Sequence, residues 1–321
     1  MDASLPSLEQ VRSLIGVHSI ASVRNWLKRC GLTHSANSKD EIAERVHGLI
    51  EKRELTLEGV RAAMIGIEEA SSKRTFLYRI SHDGKALAGI DKQLADLKTN
   101  LSEERISATD PKPTTKVVYV INGAEELRTK WTELHKRVQA VRKTRDWKET
   151  NVPKTVVLIA NKKTGVVQLR CDNPEDEHGH LESQEPSDQA FYDYFKEQSE
   201  NLIGQALQPI DLRETLQQIL VADPRIVRTN FTIDESKDGG YTKRAQKQKN
   251  RDVRDTVDWQ QMMKNETVRT FEEAPVRWLK ETSNGILNRE VFSYIDAATG
   301  LVRFDADCYE EEIDYVLGHL V

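Results

Sequence analysis

Little in these 321 residues announces chemistry. Only three cysteines occur, Cys30, Cys171 and Cys308, far apart in sequence; they encode neither a disulfide framework nor a zinc knuckle, and the expected compartment is reducing. No apolar run is long enough to span a bilayer, and the first residues lack the basic and apolar blocks of a secretion signal, so no membrane insertion is expected. No serine sits in a G-x-S-x-G elbow, and neither a P-loop nor a G-x-G-x-x-G fingerprint is present. These absences point away from an enzyme, and no catalytic residue, resident metal or cofactor is expected. Aromatics are 6% of the chain, and its five tryptophans (Trp26, Trp131, Trp147, Trp259, Trp278) fall mostly on helical apolar stripes, where core packing is the default.

What is abundant is charge, 31% of residues, with a net value of −5. Its distribution matters more than its sum. Residues 1–80 carry 12 Lys and Arg against 10 Asp and Glu, whereas residues 172–188 hold seven carboxylates and no Lys or Arg. Residues 241–254 (YTKRAQKQKNRDVR) hold six Lys and Arg and one Asp.

The chain is long enough for two or three domains. Residues 20–53 predict two short amphipathic helices joined by a polar turn. Val23, Trp26 and Leu27 form one apolar stripe; Ile42, Ala43, Val46, Leu49 and Ile50 form the other. Gly31 marks the end of the first helix, and Ser38 with Glu41 reads as a capping box for the second. A further stripe (Val60, Met64, Ile67) and the apolar block Ser71–Ile80 are expected to close an all-α bundle, with a polar helix over Ala86–Leu101. The expected organisation is a helical head over 1–105, a linker at 106–115 and an α+β domain over 116–321. In that second domain Lys116–Asn122 reads as a strand and Ala124–Lys148 as a long helix. Thr155–Ala160 with Val166–Cys171 reads as a hairpin, and so does Arg289–Ile295 with Leu301–Phe304. Helices are expected near 188–202, 210–221, Lys243–Lys264 and Tyr309–Leu320, and a strand over Arg225–Ile233. Without strict βαβ alternation the fold class is α+β with a mainly antiparallel sheet.

The candidate ligand is duplex DNA, gripped by its phosphates with little sequence preference. In the head the candidate contacts are Lys28, Arg29, Lys39, Arg45, Lys52 and Arg53, followed by Lys73 and Arg74. A second basic stripe is expected on a helix carrying Lys243, Arg244, Lys247, Lys249, Arg251 and Arg254, with Lys243, Lys247 and Arg251 in one line at i, i+4, i+8.

Two resemblances bear on this. Val23-x3-Leu27, Cys30-Gly31-Leu32, Ser38-Lys39 and Glu41-Ile42-x2-Arg45-Val46 together resemble the SAP motif, a short helix-turn-helix DNA-binding module. From Ile42 to Ile80 the order of elements is similar to the N-terminal helical domain of the kinetochore protein CENP-N family. The shared features are an apolar helix ending in Glu51-Lys52-Arg53, a Leu-Thr-Leu entry, an apolar helix, and Lys73 before Phe76–Tyr78. Pro153–Leu158 and Leu202–Leu207 fall in comparable order with that family's sheet-bearing domain. The resemblance implies a non-enzymatic protein that holds DNA with a basic helical surface and recruits a protein partner, or a second copy of itself, through its C-terminal domain. Such a protein would be nucleoid-associated in a bacterial cytoplasm, in genome maintenance or anti-phage defence, and nuclear in a eukaryote.

Two other readings compete. Asn161-Lys162-Lys163-Thr164-Gly165 resembles the lysine-bearing strand of restriction-type, divalent-metal nucleases, but Asn161 stands where an acid is needed. In the second, the cationic surface meets an acidic partner and the chain is a protein-interaction adaptor. Asp176-Glu177-His178-Gly179-His180 groups metal-ligand residue types without apolar neighbours to fix them and reads as a solvated loop.

Overall fold

The computed structural model describes residues 5–80, 115–140, 147–172, 185–222, 225–229, 231–235, 241–245, 252–257, 259–260, 271–304 and 306–321. Those residues form a mixed α and β structure with seven α-helices, a ten-stranded sheet and a separate two-stranded ribbon. Contacts divide the chain into two units, residues 1–71 with 307–313 and residues 72–306 with 314–321. Among the described residues no helix is long and apolar enough to cross a membrane.

The first unit holds four helices, α1 (Leu8–Ile15), α2 (Ile20–Arg29), α3 (Lys39–Glu51) and α4 (Leu57–Ala70). Each begins on a hydroxyl that accepts an otherwise orphaned backbone N–H: Ser7 from Gln10, Ser19 from Ser22, Ser38 from Glu41 and Thr56 from Gly59. Such a cap stabilises by about 1 kcal/mol. The Glu41 carboxylate accepts from the Asn37 N–H at 2.7 Å. Helix α2 ends as expected at Gly31, whose φ of 71° lets Leu32 N–H reach the Leu27 carbonyl at 2.9 Å. Helix α3 ends in the same geometry, but on Arg53 at φ 62°, with Glu54 N–H on Leu49 O. Val11, Ile15, Val23, Leu27, Ile42, Val46, Val60 and Met64 form the core between them.

The helical run stops at Ala70. The block Ser71–Ile80, expected in the bundle, instead forms β1 (Lys73–Arg79) inside the large sheet. Its residues alternate with period two, Thr75 and Leu77 to one face, Phe76 and Tyr78 to the other, and both faces are covered. The expected helix Ala86–Leu101 and all but the last residue of the expected linker 106–115 lie outside the described residues.

The remaining strands of the sheet are β2 (Lys116–Asn122), β3 (Glu126–Ala140), β4 (Trp147–Asn161), β5 (Val166–Asp172), β6 (Gln208–Pro209), β7 (Val227–Thr229), β10 (Glu273–Trp278), β11 (Val291–Asp296) and β12 (Leu301–Phe304). A small ribbon pairs β8 (Phe231–Glu235) with β9 (Tyr241–Ala245). All described pairings are antiparallel, in the order β2-β3-β4-β5-β1-β12-β11-β10-β7, with β6 beside β1. Three further helices are α5 (Glu185–Ile203), α6 (Arg213–Val221) and α7 (Glu310–Gly318). Helix α5 lays Phe191, Tyr192 and Phe195 on Trp131, Val156, Leu158, Leu169 and Cys171. On the opposite face of the sheet Trp278 meets Tyr315 and His319, and the buried Arg170 guanidinium donates to Asp314 at 3.1 Å.

One expected helix is a strand, and a second begins as one. Ala124–Lys148 contains β3 and the first residues of β4, and the two strands pair residue for residue from Glu126↔Asn161 to Ala140↔Trp147. Leu127 and Trp131 share a face in either geometry, because a spacing of four is even as well as one helical turn. Of the expected helix Lys243–Lys264, the first three residues belong to β9 (Tyr241–Ala245), a short 3-10 turn covers Val253–Asp255, residues 257 and 259–260 are helical, and 246–251, 258 and 261–264 lie outside the described residues.

Gly300, in the turn between β11 and β12, has φ 69° and sits where a Cβ would come within 2.8 Å of the carbonyls of Leu77 and Ile210. Gly300→Ala is expected to destabilise the sheet unit by about 3 kcal/mol, from left-handed strain plus backbone overlap. Gly31→Ala, with open space around it, should cost only about 1 kcal/mol. Urea unfolding of the two variants measures the difference.

Candidate nucleic-acid interface

The expected head contacts divide into held and available cations. The Arg29 guanidinium lies 3.9 Å from the centre of the Tyr309 ring and pairs with Glu311 at 3.4 Å, both within the C-terminal stretch that belongs to the helical unit. Ser22 donates to Asp307 of the same stretch. Lys39 donates its ammonium to the Gly16 carbonyl, where a cation suits the C-terminal end of α1. Arg45 reaches the Ser35 hydroxyl at 3.4 Å and ties the α2–α3 connection.

Lys28, Lys52 and Arg53 are exposed and have no ion pair among the described residues. Arg24, which sequence reasoning passed over, is equally available and stands one turn before Lys28 on the outer stripe of α2. Its signal was the i, i+4 spacing. Lys52 and Arg53 lie at the far end of α3, a 13-residue helix of roughly 20 Å, from its first residue Lys39.

The charge of this unit differs from the expectation. The excess of cations in residues 1–80 came from Lys73, Arg74 and Arg79, which belong to β1. Residues 1–71 with 307–313 carry nine Lys and Arg against 14 Asp and Glu. The helical unit is therefore acidic overall, with local cationic spots.

Lys73 is not available to DNA: it is buried, and its ammonium donates to Asp172, whose other oxygen accepts the Thr155 N–H at 2.6 Å. Arg74 is half-buried on β1, with its guanidinium 5.5 Å from the centre of the Tyr192 ring. Arg254 is also buried. It donates to both oxygens of Asp252, to Leu220 O at 3.0 Å and to Val227 O, so it clamps the 3-10 turn to α6 and β7. Lys243 and Arg244 lie on β9, not on a helix; Lys247, Lys249 and Arg251 fall outside the described residues. Lys243, the first member of the expected stripe at i, i+4, i+8, is therefore on a strand, the other two lie outside the described residues, and Arg254, expected beside the stripe, is internal.

Asn161 and Lys162 form the β4–β5 turn. The Asn161 side chain accepts the N–H groups of Lys163 and Thr164, and Lys162 donates to Asn122 and to Gly123 O. No group of three His, Cys, Asp or Glu gathers in metal-holding geometry among the described residues, and the segment 176–180 lies outside them.

The structure adds an arm that the sequence concealed. Strand β2 leaves β3 at Thr132, and β5 pairs with β4 only over Val156–Ala160. Beyond those points β3 and β4 pair, among the described residues, only with each other, out to Ala140↔Trp147. This two-stranded extension runs eight residues, roughly 27 Å. Lys136, Arg137 and Lys148 occupy register positions near its end, and residues 136–148 contain six Lys and Arg with a single Asp. Leu134 is buried at its base, and His135 packs edge-on to Phe191 of α5 at 5.2 Å.

No protein-family model matches the chain, and no curated protein does either.

Arg254→Met is expected to destabilise by about 2–4 kcal/mol, because it leaves the buried Asp252 carboxylate with Arg225 at 3.6 Å as its remaining cation among the described residues and takes the guanidinium from two carbonyls. Lys28→Ala should change stability by less than about 0.5 kcal/mol. Thermal unfolding of both variants separates the structural cation from the solvent-facing one.

Proposed function

We propose that this protein binds duplex DNA through the phosphate backbone and catalyses no reaction on it. The observation that carries this reading is the β3–β4 extension, a paired ribbon with cations at its far end. Two-stranded ribbons enter DNA grooves, and Lys or Arg near their ends neutralises phosphates. The exposed cations Arg24, Lys28, Lys52 and Arg53 of the helical unit add separate phosphate contacts. That unit's acidic balance argues for discrete points of attachment rather than a continuous basic surface. Base readout is absent from this scheme, so sequence preference is weak. The C-terminal domain serves partner recruitment or self-association, as the resemblance to CENP-N implies.

Binding to a labelled duplex, measured across a series of salt concentrations, tests the reading. Each lost phosphate contact should flatten the log–log salt dependence by about 0.9. Changing Lys136, Arg137 and Lys148 together to Ala should therefore reduce the slope by up to about three and weaken binding more than tenfold at low salt. Arg24→Ala with Lys28→Ala should have a smaller effect of the same kind. Supercoiled plasmid should remain intact with magnesium present. Absence of duplex binding at low salt, or indifference to both sets of changes, would sink the proposal, and magnesium-dependent nicking would replace it with the nuclease.

A further inference from the structure

On β10, β11 and β12 one face of the sheet carries aromatic and cationic side chains in register. Tyr294 lies opposite Arg303 of β12, and Phe292 lies opposite Arg277 of β10. The Arg303 guanidinium is 5.1 Å from the centre of the Tyr294 ring, and the Arg277 guanidinium is 5.1 Å from that of Phe292. All four side chains are partly exposed. Trp278, Val291, Ile295 and Val302 point to the opposite, buried face, so the exposed set is the other half of the same alternation.

Aromatic rings on a sheet are ordinarily covered. Here the ring partners of Phe292 and Tyr294 among the described residues are the two arginines. Arg277 has no carboxylate partner among those residues, and its Nε–H, shielded from water, donates to no protein acceptor. A shielded, unpaired guanidinium donor is costly unless something else accepts from it. The nearby acids are already engaged: Glu290 with Arg228 at 2.7 Å, and Glu273 with the Tyr294 hydroxyl.

We propose that this face binds single-stranded nucleic acid, with Phe292 and Tyr294 stacking bases and Arg277 and Arg303 meeting phosphates. The spacing favours an extended strand. Phe292 and Tyr294 are two residues apart on one strand, so their rings stand about 7 Å apart. That is twice the roughly 3.4 Å between stacked bases along one strand of B-DNA, so two rings suit splayed, unpaired bases and not a duplex. Each ring already carries an arginine and remains partly exposed, and stacking on an aromatic face tolerates any base identity. The residues are distinct from those assigned to duplex binding.

Fluorescence anisotropy on the full chain, with labelled oligothymidylate, the same phosphodiester backbone lacking bases, and a duplex, tests this. The parent should bind oligothymidylate about tenfold or more tighter than the abasic strand. Phe292→Ala and Tyr294→Ala should each lose about fivefold or more of that affinity, while Tyr294→Phe keeps it. Arg277→Gln should reduce the salt slope on the single strand by about 0.7. Changing Lys136, Arg137 and Lys148 to Ala should leave the preference for bases over abasic backbone intact, so failure of duplex binding and failure of this proposal are separable. Equal binding of the abasic strand and oligothymidylate by the parent overturns the proposal without any variant that must fold. So do ring variants that melt like the parent and bind as it does, or a parent that captures neither strand and only a protein.

Discussion

Strand β1 is the constraint on which the sheet depends. It pairs along its length with β5, from Lys73↔Asp172 to Arg79↔Val166. On its other edge it pairs with β12 over three positions and then with β6 at Tyr78 and Arg79. Backbone N–H and C=O groups in a buried strand must all find partners. Seven residues from the first quarter of the chain therefore join the β2–β5 half of the sheet to the β12–β7 half. Leu77 N–H on Gly300 O and Ile210 N–H on Leu77 O, both at 2.9 Å, close the ladder where β12 gives out. The buried Lys73–Asp172 pair sits at the other end of the strand. A charge in that position serves the fold, since removing either partner would leave the other desolvated.

The same logic redistributes the cations. Lys73, Arg170 and Arg254 are among the most deeply buried side chains, each spent on a carboxylate or on carbonyls. Arg29, Lys39 and Arg45 are half-spent, on a ring and a carboxylate, a helix end and a hydroxyl. The cations left for a ligand are fewer than the sequence suggests. Among the described residues, exposed cations without an ion pair include Arg24 and Lys28 on the outside of α2 and Lys52 and Arg53 at the end of α3. A chain balanced in charge over its sheet and acidic over its helices thus presents positive charge only at particular places, and phosphate attraction over a Debye length of about 10 Å respects such local placement more than the net sum.

Much of the fold was legible. Helices α2, α3 and α4, their hydroxyl caps and Gly31 follow from local pattern, and so do the β4–β5 and β11–β12 hairpins with their Gly-ended turns. Three segments were misread for one reason. In Ala124–Lys148, and at the start of Lys243–Lys264, the spacing of four residues suits a helix face and a strand face alike, and only the partner strand decides between them. In Ser71–Ile80 an apolar block shows that burial is needed but not whether a bundle or a sheet provides it. Of the candidate site residues, Lys28, Lys52 and Arg53 stand exposed as expected, whereas nothing local distinguishes them from Lys73 or Arg254.

By itself the sequence determined the capped helices, the two hairpins, the mixed α and β class and the absence of recognisable catalytic motifs. Those properties depend on neighbours within a few residues. The tertiary structure alone decided that β1 completes a sheet more than two hundred residues long in sequence, and which cations face water. It also aligned Phe292, Tyr294, Arg277 and Arg303 on one face and extended β3 and β4 beyond the other strands. Strand pairing and burial join residues that are distant along the chain, and no local pattern carries that information.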